Sequence, residues 1–207
     1  MNMQETKSIS PYRQELKTRI LAAALKAFSE KGIRAVKMDD VASELGISKR
    51  TLYEIYENKE LLLFEGVLFH HKQHEEELMR NTARCKNVMA ILLTVYRMKV
   101  EEFRQTNPLF YADMVKYPKV EQFLNDQNKA MREKSLKFLQ RGIEEGYFRD
   151  DLYYELTNRI FDALGKYVMQ NELYKQYSLE EIMKNLILIP LRGICTEKGI
   201  AAIDKLL

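Results

Sequence analysis

Apolar residues recur at three- and four-residue spacing along nearly the whole chain, which is the pattern of amphipathic α-helices. The first segment begins at Pro11 and ends at Gly32, which we expect to adopt the left-handed conformation that follows a helix. Shorter segments over about 38–45 and 49–55 come next, and a long segment runs from 59 to about 80. The first part of the chain therefore predicts three helices leading into a longer fourth.

The rest of the chain shows the same periodicity, with residues that mark where helices begin. Asn107-Pro108 and Pro118 place a proline in the first turn of a helix, and Ser178 is a favourable N-cap. The expected helices cover about 88–103, 108–116, 118–146, 152–173 and 179–194, with a short one from about 198. Pro190 is expected to kink or end the last long helix. With no convincing strand, the fold class is predicted to be all-α.

Composition excludes several other classes of protein. Eight glycines and four prolines in 207 residues are too few for a turn-rich all-β protein or a disordered chain. No apolar run approaches the roughly 18 residues of a membrane-spanning helix, and residues 1–10 lack the apolar core of a signal peptide. Cys85 and Cys195 show no zinc-ligand or CxxC spacing. These features predict a cytoplasmic protein in a reducing compartment, without a membrane partner.

The positive net charge is concentrated at the N-terminal end. Residues 1–56 contain 10 Lys and Arg against 7 Asp and Glu, whereas the remaining residues are balanced at 23 against 23. This surplus is a weak indication of a polyanionic partner. No nucleophile motif, phosphate-binding glycine loop or HExxH pattern accompanies it, so we expect no enzyme activity and no catalytic residues.

Residues 41–55 carry the spacing of a helix-turn-helix. Ala42 is small enough for close approach of the next helix, and Gly46 supplies the positive φ of the turn. The apolar residues of the inner side are Val41, Leu45, Ile47, Leu52 and Ile55. The outward residues are Lys49, Arg50, Thr51, Tyr53 and Glu54. A packing of three helices without DNA can show the same apolar pattern, but the basic and hydroxylic outer face favours insertion into a major groove.

The same region resembles the N-terminal signature of the TetR/AcrR family of bacterial transcriptional regulators. The matching stretches are 20–24, 28–32, 40–42, 46–48, 51–53 and 58–62. Residues 142–149, GIEEGYFR, are similar to a weaker C-terminal element of many members. The departures are Lys37 for the usual Ser or Thr N-cap, Arg50 for a frequent glycine, and Ile55-Tyr56 for His-Phe. Lys37 is expected to lose a cap worth about 1 kcal/mol, and Arg50 makes the operator hard to infer by analogy.

The resemblance implies a layout for the whole chain. It implies a flexible arm over 1–12, a three-helix helix-turn-helix DNA-binding domain over 13–64, and a larger helical ligand-binding and dimerisation domain over 65–207. A homodimer interface is implied for the last two long helices, about 152–173 and 179–194, although their apolar surplus could instead fill the monomer core.

The implied function is that of a repressor which a small ligand releases from a palindromic operator in double-stranded DNA. The alternative is a ligand-independent DNA-binding protein of the same fold, which would organise the chromosome or recruit a protein partner. The operator, the regulated genes and the identity of the ligand have no signal in the sequence.

Roles on DNA follow from side-chain chemistry. Arg50 and Thr51 are expected to contact base edges. The residues expected to contact phosphates are Ser48, Lys49, Tyr53 and Lys59. Further phosphate contacts are expected from Lys37, Lys7 and Arg13, although a lone lysine is about as often a solvated surface charge.

Aromatic residues and methionines are abundant in the helices between 88 and 148. The candidate lining residues of a ligand pocket are Tyr96, Phe103, Phe110, Tyr111, Met114 and Phe138. Such side chains suit an apolar or aromatic small molecule, but a stripe at helical spacing is also typical of a core. The pocket is expected because the family resemblance implies one, and no cofactor is expected.

His70, His71 and His74 form a histidine cluster on the fourth predicted helix. His70 and His74 are four residues apart and lie on one side of that helix, a spacing that can bind zinc or nickel. Because no third Cys or His ligand can be identified, we expect no metal and assign the pair a solvated or capping role. An enzyme or metal carrier on this fold would rest on this cluster alone.

Overall fold

The computed structural model describes residues 11–205, which form helices joined by short loops. The α-helices are α1 (Pro11–Lys31), α2 (Met38–Glu44), α3 (Lys49–Ile55), α4 (Lys59–Thr82), α5 (Val88–Gln105), α6 (Pro108–Met114), α7 (Pro118–Glu144), α8 (Tyr154–Gln170), α9 (Leu179–Ile182), α10 (Leu188–Gly193) and α11 (Glu197–Asp204). Within the described range the only β pairing is an isolated antiparallel bridge between Phe148 and Cys195. The all-α prediction is confirmed.

The predicted turns and caps hold the first helices in place. Gly32 and Gly46 have φ of +82° and +64°, which L-residues with a side chain adopt only with strain. The side chain of Asn58 accepts the N–H of Leu61 at 2.9 Å. At the start of α2, where Lys37 cannot cap with its side chain, its own N–H donates to the Asp40 carboxylate at 2.7 Å. This bond offsets part of the missing cap.

The first hydrophobic core joins α1, α2 and α3 to the helices that follow. Leu62, Leu63 and Val67 of α4 are buried in it, together with Phe110 of α6 and Val120 of α7. The boundary at residue 64 therefore falls inside α4, in a core that continues on both sides of it. We keep the division into 13–64 and 65–207 as a proposal about function.

A second core fills the other end of the molecule, where α5, the end of α7, α10 and α11 meet. Phe148 is buried there, and a Cβ on Gly142 would lie 2.0 Å from its ring. Only a glycine at position 142 allows this contact. The GIEEGYFR stretch thus closes α7 and places an aromatic ring in the core.

The two long C-terminal helices differ from their predicted form. The first begins at Tyr154 and not near 152, because Arg149 forms a fork with the Asp151 carboxylate (2.9 and 2.6 Å) that holds a turn. It ends at Gln170, and Glu172 has a left-handed φ of 52°. The predicted helix over 152–173 is therefore too long at both ends.

The segment predicted as one helix over 179–194 is interrupted. A π-helical stretch, Met183–Ile187, separates α9 from α10, and the N–H of Leu188 bonds the carbonyl of Met183 five residues back. Pro190 lacks an N–H and leaves a carbonyl of the preceding turn without a helical donor. Pro190 does not end the helix, because α10 continues through it to Gly193, and the change of helix type lies before the proline. In the part of the chain that the structure describes, no helix is long and apolar enough to cross a membrane.

Candidate DNA-binding surface and ligand cavities

The helix α3 is held against α2 by a short turn and a buried apolar side. Leu52 is fully buried, and the N–H of Ile47 donates to the carbonyl of Ala42 at 3.0 Å. Ser48 caps α3 by accepting the N–H of Thr51 at 3.0 Å, and its hydroxyl lies 2.8 Å from that of Thr51. These contacts fix the helix and leave its opposite side in solvent.

The exposed side of α3 carries charged residues that are paired within the protein. Arg50 Nε donates to Glu54 Oε1 at 2.9 Å, one helical turn away. Lys49 forms an ion pair with Asp39 of α2, which raises the pKa of the lysine through the hydrogen bond. Tyr53 is exposed beside them. The structure therefore brings together five of the predicted DNA residues, those between 48 and 53.

Lys59 does not lie on this surface in the structure. Its ammonium donates to the carbonyl of Val36 at 2.5 Å, in the loop between α1 and α2, and lies 5.8 Å from the centre of the Phe28 ring. Burial lowers the pKa of Lys59, although Asp113 and Asp40 act in the opposite direction. In this conformation the residue predicted to clamp phosphate holds a loop of the helix-turn-helix domain.

The remaining predicted DNA residues lie near the start of the chain. Lys37 is exposed at the N-cap of α2. Arg13 Nη2 donates to the carbonyl of Glu54 at 2.9 Å and so joins the start of α1 to the end of α3. Lys7 and most of the arm predicted over 1–12 lie outside the described residues.

One polar contact beneath α3 was missed from the sequence. The hydroxyl of the buried Tyr56 donates to Glu65 of α4 at 3.1 Å, and Lys17 of α1 pairs with the same carboxylate at 2.6 Å. A tyrosine in place of phenylalanine brings a hydroxyl into the core, and a buried hydroxyl needs a partner. The need of a buried hydroxyl for a partner could have signalled this contact from the sequence. The sequence spacing does not identify Glu65 as the partner.

A cavity of about 360 Å³ lies beside α6, and we call it the α6 cavity. Its walls come from α4, α5, α6, α7 and α8, and its apolar lining includes Phe110, Met114, Phe123, Leu124 and Met169. Three of the predicted pocket residues, Phe110, Tyr111 and Met114, lie in these walls. Shared wall residues, among them Tyr111, separate it from a wider surface groove of about 840 Å³ along α1.

One wall of the α6 cavity is polar. Glu102 accepts the hydroxyl of Tyr111 at 2.6 Å with Oε1 and the ammonium of Lys99 at 2.8 Å with Oε2. Burial alone would raise the pKa of Glu102, but Lys99 and Tyr111 outweigh it and hold the pKa below its usual range. Burial and the neighbouring carboxylate raise the pKa of Tyr111. Glu102 is therefore a charged carboxylate with both oxygens engaged.

The histidine cluster lines the same cavity. The rings of His70 and His74 lie parallel, with centroids 6.3 Å apart, and His71 packs edge-on against Phe123 at 5.4 Å. Among residues 11–205, no group of three Cys, His, Asp or Glu side chains could hold a metal ion. The polar wall therefore consists of three imidazoles, a lysine, a tyrosine and a glutamate whose negative charge is compensated by the lysine.

A second cavity of about 330 Å³ lies between α7, α8 and the C-terminal helices, and we call it the α8 cavity. Phe138 is in its wall with Phe161 and Leu191. The other two predicted pocket residues lie outside the walls of both cavities in the described chain. Tyr96 packs against the second core, and Phe103 packs edge-on against Tyr111 at 5.4 Å.

The short helix α6 connects the α6 cavity with the helix-turn-helix. Asp113, which is only 4% exposed, accepts the N–H of Arg34 in the α1–α2 loop at 3.2 Å and pairs with Lys116 at 2.9 Å. At the start of α6, the N–H of Asn107 donates to the carbonyl of Ser29 in α1 at 2.7 Å. One side of α6 thus binds the end of α1, while its other side, with Tyr111, lines the cavity.

Comparisons with known proteins agree with this architecture. Residues 20–65 match the family model described as bacterial regulatory proteins, tetR family. The HTH-type transcriptional repressor KstR2 of Mycobacterium tuberculosis is 31% identical over 148 residues, which cover 67% of this chain and 71% of the repressor. The chain belongs to the TetR family.

Solved structures of other regulators share the fold of this TetR-family protein. A transcriptional regulator from Saccharomonospora viridis in complex with choline has a TM-score of 0.69 at 20% identity, covering 89% of this chain and 100% of the other. The KstR2 structure from Mycobacterium tuberculosis, described as a ketosteroid transcriptional regulator, has a TM-score of 0.58 at 23% identity, covering 88% and 96%. The protein is therefore a DNA-binding transcriptional regulator and not an enzyme.

The TetR-family chain also exposes an apolar stripe on α8. Tyr153 at the N-cap and three large apolar side chains along the helix are exposed, at spacings of three, four and seven residues. They are Tyr153 (82% exposed), Leu156 (60%), Ile160 (52%) and Tyr167 (53%). Ile189 of α10 is exposed as well. A stripe of this kind marks a surface that binds another protein or a second copy of the chain.

Proposed function

We propose that this protein is a homodimeric repressor that binds a palindromic operator and leaves it when a small, largely apolar ligand occupies the α6 cavity. The observation that carries the proposal is the double attachment of α6. Tyr111 and Met114 line the cavity, whereas Asp113, between them in sequence, holds the loop of the helix-turn-helix through Arg34.

Operator reading is assigned to the exposed side of α3. We propose that Arg50 leaves Glu54 to contact a base edge, with Thr51 beside it, because a guanidinium can bind guanine with two hydrogen bonds. Ser48, Lys49, Tyr53 and Lys37 are assigned to phosphates, which position the domain without selecting sequence. Lys59 is assigned an indirect role through its bond to Val36, in place of the expected phosphate contact.

Dimerisation is assigned to the apolar stripe on α8 together with Ile189. A two-fold symmetric dimer would bury this stripe against its own copy and present two α3 helices to the two halves of an inverted repeat. The predicted ranges 152–173 and 179–194 contain this surface, although their helices are shorter and interrupted.

Ligand release is assigned to a displacement of α6. A ligand that pushes on Tyr111 or Met114 would move Asp113 and Asn107, which hold the end of α1 and the loop before α2. The choline complex of the Saccharomonospora viridis regulator supports a small-molecule site in a protein of this fold. The two cavities favour this function over a ligand-independent DNA-binding protein.

The test is selection of bound duplexes from a random DNA library with the full chain at physiological salt. We expect an inverted repeat to be recovered, with half-sites about one helical turn apart. Retention that is sensitive to salt but recovers no consensus would mean that only the DNA backbone is bound, and it would overturn the operator assignment.

A further inference from the structure

We propose that the α6 cavity selects a small amphipathic monoanion, namely a carboxylate carried on a compact apolar body, with His70, His74 and Lys99 forming the anion-binding wall. This inference rests on the proposed function because it names the ligand class of the same site.

The polar wall has hydrogen-bond donors that no group of the described protein uses. Both oxygens of Glu102 are engaged, one by Tyr111 and the other by Lys99. The Lys99 ammonium has three protons and uses one on Glu102 in the described structure. The ring nitrogens of His70 and His74 form no hydrogen bond within residues 11–205, so each neutral ring offers a ligand one N–H donor and one acceptor nitrogen. Acceptor groups of a ligand can therefore bind the free protons of Lys99 and of the two imidazoles.

The charges of the wall favour an anion over a cation. Glu102 contributes one negative charge, and Lys99 neutralises it at 2.8 Å. No other Asp or Glu lines the cavity, whereas Lys99 and three imidazoles do. A bound carboxylate would therefore meet a wall that is neutral or positive, and a bound ammonium would find no unpaired carboxylate.

The remaining walls and the volume define the rest of the ligand. Apart from Asn128, the lining outside the polar wall is apolar and includes Val67, Phe110, Phe123 and Met169. The cavity's volume of about 360 Å³ lies within the range of ordinary small-molecule sites, roughly 300–1,000 Å³. A carboxylate on an aryl-alkyl or branched alkyl chain meets these limits.

The probes are three molecules with one apolar body and different charge: 4-phenylbutyrate, 4-phenylbutan-1-ol and 4-phenylbutylamine. Each is titrated calorimetrically into the full chain near neutral pH in the absence of DNA. We expect the carboxylate to bind at least about tenfold more tightly than the alcohol or the amine, because it alone brings two charged acceptors. Equal binding of all three, tighter binding of the amine, or no binding by any of them would overturn the proposal.

A pH series tests whether the histidines hold the anion. The groups that line the α6 cavity with the pair are His71 on α4, Lys99 and Glu102 on α5, and Tyr111 on α6, with uncharged residues from α7 and α8. His70 also lines the groove along α1, where Lys26 and Glu30 are the charged residues of α1. Burial lowers the pKa of His70, so the free protein carries it largely neutral near pH 7. A bound carboxylate favours protonation, and affinity for phenylbutyrate should rise as pH falls from about 8 to about 6, by at most about tenfold per pH unit for each proton taken up.

Matched variants test whether His70 and His74 cause the pH dependence and the preference for the carboxylate. In the double variant His70→Gln with His74→Gln, we expect the pH dependence to disappear and the preference for the carboxylate to shrink. Lys72→Gln removes an exposed charge from the same helix outside the cavity wall, and we expect it to behave as the unmodified protein. A carboxylate preference and pH dependence that survive unchanged in the double variant would overturn the assignment to this wall.

Failure of this inference can be separated from failure of the proposed function. The same probes are added to the complex with the selected operator. If phenylbutyrate binds the free protein as expected but leaves operator binding unchanged, the assigned ligand class is supported and the proposed release mechanism is wrong. If operator binding is sequence-specific while no carboxylate binds, the assigned ligand class is wrong and the operator assignment is kept.

Discussion

The exposed surfaces of α3 and α8 differ in polarity, because that of α3 is charged and the stripe on α8 is apolar. On α3 the exposed charges are satisfied inside the protein, since Arg50 pairs with Glu54 and Lys49 with Asp39. On α8 the exposed stripe of Tyr153, Leu156, Ile160 and Tyr167 is apolar and leaves a surface that water solvates poorly. A face that can exchange ion pairs suits a polyanion that binds and dissociates, whereas an apolar stripe suits a partner that stays bound.

The largest effect is expected from a charge placed on the apolar stripe. Ile160→Glu would put an unpaired carboxylate from each protomer into a two-fold interface, where burial of a charge costs several kcal/mol. We expect the dimer to weaken by at least about a hundredfold, measured by sedimentation velocity over a range of protein concentrations.

The matched control for this change is Arg159→Glu, which alters the charge of a neighbouring exposed residue outside the stripe. It should leave the dimer intact, and circular dichroism should show that both variants keep their helix content. A dimer that tolerates Ile160→Glu would assign the apolar stripe to some other partner.

On the polar face, Arg50→Ala should remove a base contact. A bidentate arginine–guanine pair discriminates by about 1–3 kcal/mol, so affinity for the selected operator should fall by about ten- to a hundredfold. The preference at one base position in each half-site should relax as well. Binding to the operator and to single-base variants, followed by fluorescence anisotropy, measures both effects.

Lys137→Ala is the control for the arginine variant, because it removes an exposed charge from α7. We expect it to leave affinity and base preference unchanged. An Arg50→Ala protein that loses affinity equally for all sequences would make Arg50 a phosphate contact.

A smaller effect is expected at Lys59, and it tests whether this cation belongs to the DNA-binding face. Lys59→Met keeps much of the aliphatic side chain but removes the bond to Val36. We expect a loss of about 1 kcal/mol in the free energy of unfolding, or about 2–4 °C in Tm, measured by differential scanning calorimetry. A normal Tm with weaker binding to every DNA sequence would restore the role in phosphate binding expected from the sequence.

The smallest effect is expected at Lys49, whose ion pair with Asp39 must be exchanged for one with a phosphate. Lys49→Ala should weaken binding to all sequences by a similar modest factor. The slope of log affinity against log salt should fall by about one phosphate contact. An unchanged slope would place Lys49 outside the contact with DNA.

Local structure was predicted most successfully from the sequence where a single residue sets a helix boundary or a turn. The α3 boundaries, the caps at Ser48 and Asn58 and the turn glycines follow from short-range rules. Of the six residues predicted to line a pocket, Phe110, Tyr111 and Met114 lie in the walls of the α6 cavity. Their part in ligand binding stays a prediction.

Long-range contacts were harder to predict. Lys59 bonds a carbonyl 23 residues away, and Asp113 bonds an N–H 79 residues away. Neither partner has a signature at fixed spacing, because a backbone group accepts or donates whatever its residue type. The start of α8 was missed for a related reason, since the Arg149–Asp151 fork favours a turn over continued helix.

The two sides of α6 have a thermodynamic consequence. If occupation of the cavity beside Tyr111 weakens operator binding by a given factor through Asp113, operator DNA must weaken ligand binding by the same factor. The ligand concentration that half-saturates the regulator is then not a fixed property of the protein alone. It rises with the share of molecules already bound to DNA, so the sensitivity of the response depends on how many operators and competing sites the cell contains.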